Sequence, residues 1–304
     1  HPGIFPHNPD AENWTMREWL EFNWREPWGN EDWEDEYEEA VDEGTREEIE
    51  FPLVWEDRFD REEARAVVEY NLELIEEKRD LRQRVMENGS HIDGPFFSGG
   101  TSVGSDLDFH YVVTNTNNGH NLPSGSLGAQ PELWLNVALI DPSGNNIWES
   151  GYVDSNGDMA DQHSLDVLAG KIPLDRQLFN LQTKFLTTNV KGTDREMYLP
   201  VNFDVDQLPF LRPAAQPTTV INHPPFVRME GRSIPPLGSR EANYSVPGDL
   251  LSEPGIYKLA IRMRSRAEPI YFMRFVGATA EMERTMNEWM MDVDSFTVEF
   301  EVGS

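Results

Sequence analysis

The chain has 304 residues, 38% of them hydrophobic, and a formal charge of −30 from 55 Asp and Glu against 25 Lys and Arg. Its length is ample for a buried core, and nine Trp among that apolar content fit a folded chain and not a disordered one. The charge argues against nucleic acid or an anionic membrane as partner, since both would be repelled, and the lack of cysteine excludes disulfides and thiolate metal sites.

The first ten residues, HPGIFPHNPD, are Pro-rich and extended, and Asp10 or Asn13 is placed to cap a helix carrying Trp14, Met16, Trp19, Leu20, Phe22 and Trp24. Pro27 to Asn30 ends it. Glu31 to Glu50 reads as an acidic helix with Trp33, Tyr37, Val41 and Ile49 at helical spacing. Like charges at that density repel, so this helix needs tertiary contacts or bound cations. Asp60 to Asn88 is the clearest helix: Val67, Val68, Asn71, Leu72, Ile75, Leu81 and Val85 form an apolar-dominated stripe, Asp60 caps the start and Gly89 ends it.

Gly94 to Ser105 reads as a Gly/Ser linker, and beyond it the pattern turns to β. Leu107 to Thr114 is a strand. In Glu132 to Asp141, Leu133, Leu135, Val137 and Leu139 alternate towards one face while Trp134, Ala138 and Ile140 take the other, which implies cover on both sides. Pro142 to Asn146 is a turn, and Ile147 to Val153 returns as the partner strand. Further strands are expected at Leu178 to Val190, Glu196 to Phe203, Ser239 to Val246 and Ile256 to Arg264, with a Pro-rich crossing from Pro209 to Pro236. Pro254-Gly255-Ile256-Tyr257 reads as the entry to a late strand of an immunoglobulin- or fibronectin-like sandwich. A helix over Thr279 to Met291 precedes a last strand, Ser295 to Val302. The expected fold is α+β: an acidic helical region over 1–93, a linker over 94–105, and an antiparallel β-sandwich with insertions over 106–304. No apolar run approaches the length of a membrane span, and the opening on His1 without Met gives the expectation of a processed, exported chain.

Between the first strand and the Trp-bearing strand lies the loop NTNNGHNLPSG, Asn115 to Gly125. A strand, a Gly119-His120 loop closed by Pro123-Ser124-Gly125, the strand with Trp134, and the turn Ile140-Asp141-Pro142-Ser143-Gly144-Asn145 follow in that order. This order resembles a β-sandwich module found after the haem-binding part of bacterial multihaem c-type cytochromes. By element order the resemblance runs over residues 106–302; its sharp part is His120 to Gly125. It implies that His120 serves as an axial haem ligand. The chain has no Cys-x-x-Cys-His sequence, so it is not itself a c-type cytochrome, and any haem c is expected on a partner chain or an upstream segment. The function implied is that of an exported, non-catalytic part or subunit of a multihaem electron-transfer assembly, periplasmic or extracellular, in complex with a cytochrome or other redox protein.

Other readings stand beside this one. His120 also reads as a loop histidine bonded within its own turn. His1 offers an α-amine and a ring nitrogen as a chelate, which a second imidazole from His7, or from His110 or His163, would complete as a copper site in a metal enzyme; the plainer reading is that His1 only marks where the sequence begins. Asp154, Asn156 and Asp158, followed by Asp161, space oxygens as calcium loops do, in keeping with a structural surface or filament subunit. That stretch departs from the EF-hand, with Met159 where the turn Gly belongs and no closing Glu, and otherwise reads as a solvated acidic turn. No Ser-His-Asp order, P-loop or dinucleotide fingerprint occurs.

Overall fold

The computed structural model describes residues 22–23, 26–124, 131–182, 184–187, 227–230, 232–275 and 277–304. The chain divides into two compact units, residues 1–82 with 279–282, and residues 83–278 with 283–304. The fold is α+β, with helices and two antiparallel sheets that make a sandwich.

In the first unit the acidic run forms α1, Glu31–Asp42, and stops well short of Glu50. Asn30 caps it by accepting the Asp32 N–H. Its end is set at Gly44, where a φ of 68° lets Gly44 and Thr45 return their N–H groups to Val41 and Ala40. Arginines from α2, Arg58–Glu87, meet the acidic charge. Arg58 Nη1 lies 2.7 Å from Asp35 Oδ1, and the buried Arg61 grips Glu34 through Nε to Oε1 at 2.9 Å and Nη2 to Oε2 at 2.6 Å. Asp57 caps α2 instead of Asp60, its carboxylate accepting the Phe59 N–H at 2.8 Å. Gly29 is required beneath this pair: its φ is 80°, and a Cβ there would sit 2.3 Å from the Arg61 carbonyl oxygen. Trp28 and Trp55, with ring centroids 4.7 Å apart, build a small core with Phe22, Ala64 and Val68, and the Arg65 guanidinium lies 4.5 Å over Trp28. The expected stripe of α2 is therefore divided. Val68 is buried and Leu72 and Ile75 pack on this core, whereas Val67, Leu81 and Val85 are exposed.

The second unit carries β1, Ser90–Phe97; β2, Leu107–Asn115; β3, Glu132–Ile140; β4, Asn146–Ser150; β5, Lys184–Thr187; β6, Val227–Glu230; β7, Ser239–Val246; β8, Gly255–Arg266; and β9, Met291–Val302. One sheet runs β1-β2-β7, the other β4-β3-β8-β9, and β5 pairs with β6. These orders put β1, β2 and β7 where strands A, B and E of an immunoglobulin-like sandwich run, and β4, β3, β8 and β9 in the C′, C, F and G positions. β1 takes in Gly94 to Phe97, the opening of the stretch read as a linker, at a register break between Asp93 and Phe96.

Period-2 alternation fills the space between the sheets: Leu107, Phe109, Tyr111 and Val113 from β2, Leu133, Leu135, Val137 and Leu139 from β3, and Tyr257, Leu259, Ile261 and Met263 from β8. Each such side chain contributes about 1.5–3 kcal/mol by leaving water. Entry into β8 is fixed by Tyr257, whose Oη donates to the Glu253 carbonyl at 3.0 Å, the tyrosine corner of this architecture. Short helices α3, Leu165–Leu168, and α4, Ile270–Phe275, were not foreseen in the sequence; α5, Ala280–Glu288, matches the expected late helix, with Thr279 Oγ1 accepting the Met282 N–H. Of the expected strand at 178–190, residues 178–182 form only an isolated bridge between Asn180 and Trp134 and β5 is the part that is strand, while Glu196 to Phe203, the crossing up to 226 and nearly all of the Trp14 to Trp24 helix lie outside the described residues. Among the described residues no helix is long and apolar enough to cross a membrane.

Candidate functional site

The inward alternation of β2 does not stop at Val113; it ends on Asn115, which is fully buried. A buried amide has to find partners, and this one finds four. Its Nδ2 donates to the carbonyls of His120 at 2.7 Å, Ile234 at 3.0 Å and Pro235 at 3.2 Å, and its Oδ1 accepts the Asn117 N–H at 3.0 Å. Backbone bonds complete the clamp. Leu122 and Ile234 exchange N–H···O bonds, both at 2.9 Å, and Leu237 N–H donates to the Asn117 carbonyl at 3.0 Å. The segment 234–238, which leads into β7, thereby holds the loop on both sides of His120.

The His120 side chain is exposed, and its ring takes no hydrogen bond among the described residues. Gly119 does not set the loop. It lacks a left-handed φ, and a Cβ there would meet nothing. Gly125 lies outside the described residues. Nearby, Leu237 is held at φ 57° with 67% of its surface exposed, an apolar side chain displayed at a strained backbone position.

The acidic turn after β4 is built for internal bonding. Asp154 Oδ1 accepts the N–H groups of Asn156 at 2.7 Å and Asp158 at 3.0 Å, and its Oδ2 accepts Ser164 Oγ at 2.8 Å. Burial alone would raise the Asp154 carboxyl, but the Ser164, Asn156 and Asp158 donors together draw it below the ordinary carboxylate range. Asp158, also buried, accepts Tyr271 N–H at 2.8 Å and pairs with Arg274; burial outweighs that pairing and pushes its carboxyl up. Asp161 accepts the His163 N–H at 2.8 Å. Asn156 meets Asp154 through its own N–H. These groups turn to the chain's own donors, and among the described residues no group of three or more His, Cys, Asp or Glu assembles to hold a metal ion.

Beside this turn is a polar cluster that the sequence reading missed. Arg266, at the end of β8, donates Nε and Nη2 to Glu132 Oε2 at 2.8 and 2.6 Å, and Nη1 to the Gly157 carbonyl and Asn287 Oδ1 at 2.6 and 2.7 Å. Both members of the pair are fully buried, and the guanidinium lies 5.7 Å from the Trp134 ring, whose Nε1 donates to the Gly151 carbonyl at 3.0 Å. This covers the second face of β3 at its Glu132–Trp134 end, while Ala138 and Ile140 on the same face are half-buried. Burial pushes the Glu132 carboxyl up, against the pull of Arg266.

Of the other histidines, His91 contacts Asp93 at 3.1 Å, His110 packs beside Phe96, and His163 lies 4.8 Å from Tyr271. His1 and His7, the residues of the copper reading, lie outside the described residues, as does His223. No protein-family model and no curated protein matches the chain. Among solved structures, a penta-haem cytochrome c552 from Thermochromatium tepidum is similar at a TM-score of 0.40 and 12% identity, over 72% of this chain and 41% of that protein. The chain thus spans less than half the length of that cytochrome.

Proposed function

We propose that the chain is an exported, non-catalytic sandwich part or subunit of a multihaem cytochrome assembly, in which His120 supplies an axial ligand to a haem c held by a partner chain or an upstream segment. The observation that carries this reading is the contrast at one residue: the His120 carbonyl is bound by the buried Asn115 while its imidazole is exposed and unbonded among the described residues. An axial ligand needs that combination, a fixed backbone and a ring nitrogen free to face outward.

A haem, when bound, supplies one-electron transfer at a potential that its axial ligands tune. What this chain's residues contribute is placement. Asn115 and the Leu122–Ile234 bonds hold the loop backbone on both sides of His120, and Leu237, tied to the Asn117 carbonyl, offers an exposed apolar contact beside that loop. The charge of −30 favours a basic redox partner and speeds encounter with one.

The test is to recover the tagged chain from its source cells under mild conditions and record a visible spectrum. Co-purification of a Soret band that is displaced by His120→Ala is the expected result. A chain recovered without haem, or a spectrum indifferent to the substitution, would overturn the proposal.

A further inference from the structure

An asparagine followed by glycine is open to attack by the glycine's own backbone nitrogen on the side-chain amide, because no Cβ stands in the way and the backbone turns freely. The chain has three such pairs, Asn88-Gly89, Asn118-Gly119 and Asn156-Gly157. Two of them are tied down. Gly89 N–H donates to the Met86 carbonyl at 3.0 Å, and Asn88 Nδ2 donates to the Arg84 carbonyl at 2.7 Å. Gly157 N–H donates to the Asp154 carbonyl at 3.0 Å, while the Asn156 N–H and side-chain amide both turn to the Asp154 carboxylate.

The third pair differs. Asn118 and Gly119 are both exposed, and neither the Gly119 N–H nor the Asn118 amide takes a hydrogen bond among the described residues. The space beside Gly119 is open. On either side the backbone is held by one residue, since Asn115 Oδ1 accepts the Asn117 N–H at 3.0 Å and Asn115 Nδ2 donates to the His120 carbonyl at 2.7 Å. The pair is thus a free span between two fixed ends.

We propose that Asn118 is the position at which the folded chain modifies itself, by deamidation through a cyclic imide with Gly119. The Gly119 nitrogen bonds to Asn118 Cγ, its proton passes to the leaving amide, and ammonia departs. Solvent water then opens the ring. Attack at the side-chain carbonyl gives aspartate, and attack at the backbone carbonyl gives isoaspartate, in which the chain runs through the β-carbon and is one atom longer. Either product sets a new negative charge two residues before His120, and the longer one strains a span that Asn115 closes at both ends. The inference rests on the Asn115 clamp and is independent of any haem.

The full chain, kept folded at mildly alkaline pH, is digested at intervals and the three asparagines are followed by mass spectrometry. Each rate is divided by that of the same asparagine in guanidinium chloride, which removes the effect of neighbouring side chains. The ratio for Asn118 should stay near one, while those for Asn88 and Asn156 fall by about tenfold or more, ~1.4 kcal/mol on the barrier. Gly119→Ala, where a Cβ meets nothing, should slow Asn118 by a similar factor with the melting temperature unchanged. The isoaspartate form, separated by its charge, should show quicker amide exchange at Asn117 than the fresh chain. Conversion of Asn88 or Asn156 as fast as Asn118 in the folded chain, protection of Asn118 there, a rate indifferent to Gly119→Ala, or unchanged exchange at Asn117 would each overturn the proposal.

Discussion

Asn115 Nδ2 lies 2.7 Å from the carbonyl oxygen of His120, so the last inward residue of β2 holds the backbone of the residue that faces out of the following loop. The same amide serves Ile234, Pro235 and Asn117. Asn115→Ala leaves several buried groups without partners at once. The expected loss is about 2–3 kcal/mol in urea unfolding, with the far-ultraviolet spectrum retained. Amide exchange at Asn117 and Leu122 should quicken more than exchange in β8, and equal effects at both places would contradict the clamp.

The Arg266–Glu132 pair should behave as a buried ion pair does. Glu132→Gln leaves Arg266 charged and poorly compensated, at a cost of about 3–5 kcal/mol. Replacing both, Glu132→Leu with Arg266→Met, should cost less than either single change, because no desolvated charge remains. Urea titration of the cycle measures this, and a double variant whose loss equals the sum of the single losses would show that the two residues act separately.

Asp166 predicts a pH dependence. Hydrogen bonds and charge from Lys171, with the Ser155 hydroxyl and N–H, hold its carboxyl down from 3.8 to about 2. A depressed folded-state value means stability that is fully present above 3.8 and is lost as pH falls towards 2. The melting-temperature advantage of the native chain over Asp166→Asn should therefore hold at neutral pH and shrink through that acid window. An advantage independent of pH would count against the assignment.

Tyr257→Phe removes only the hydroxyl that binds the Glu253 carbonyl. About 0.5–1.5 kcal/mol should be lost, with the core otherwise unchanged, since the ring remains packed against Phe300 at 6.1 Å. Equilibrium unfolding reads this directly, and a neutral substitution would mean that the corner contributes nothing.

Much of the sandwich was legible in the sequence because alternation is a local signal. The period-2 runs at Leu133 to Leu139 and Ser239 to Val246 lie where the strands β3 and β7 run. The stripe of α2 misled because one helix carries two apolar sides, and spacing alone does not say which of Val67 and Val68 is covered. Asn115 was visible as a polar residue on the inward phase of β2, but its importance depends on Ile234 and Pro235, more than a hundred residues away. The Arg266–Glu132 pair was hidden in the same way, since its two members come together only through the register of β3 with β8. The spacing of Asp154, Asn156 and Asp158 suggested a cation; the bonds of Asp154 to Ser164, and of Asp158 to Tyr271 and Arg274, come from residues that this spacing does not include.

Carbon monoxide binding to the reduced assembly tests the proposed ligation of a haem by His120 most directly. A haem that His120 ligated would be closed to the gas at that position. His120→Ala should open one haem to carbon monoxide, seen as a new shifted Soret component, while the sandwich melts as before. Equal carbon monoxide binding with and without the imidazole would contradict it.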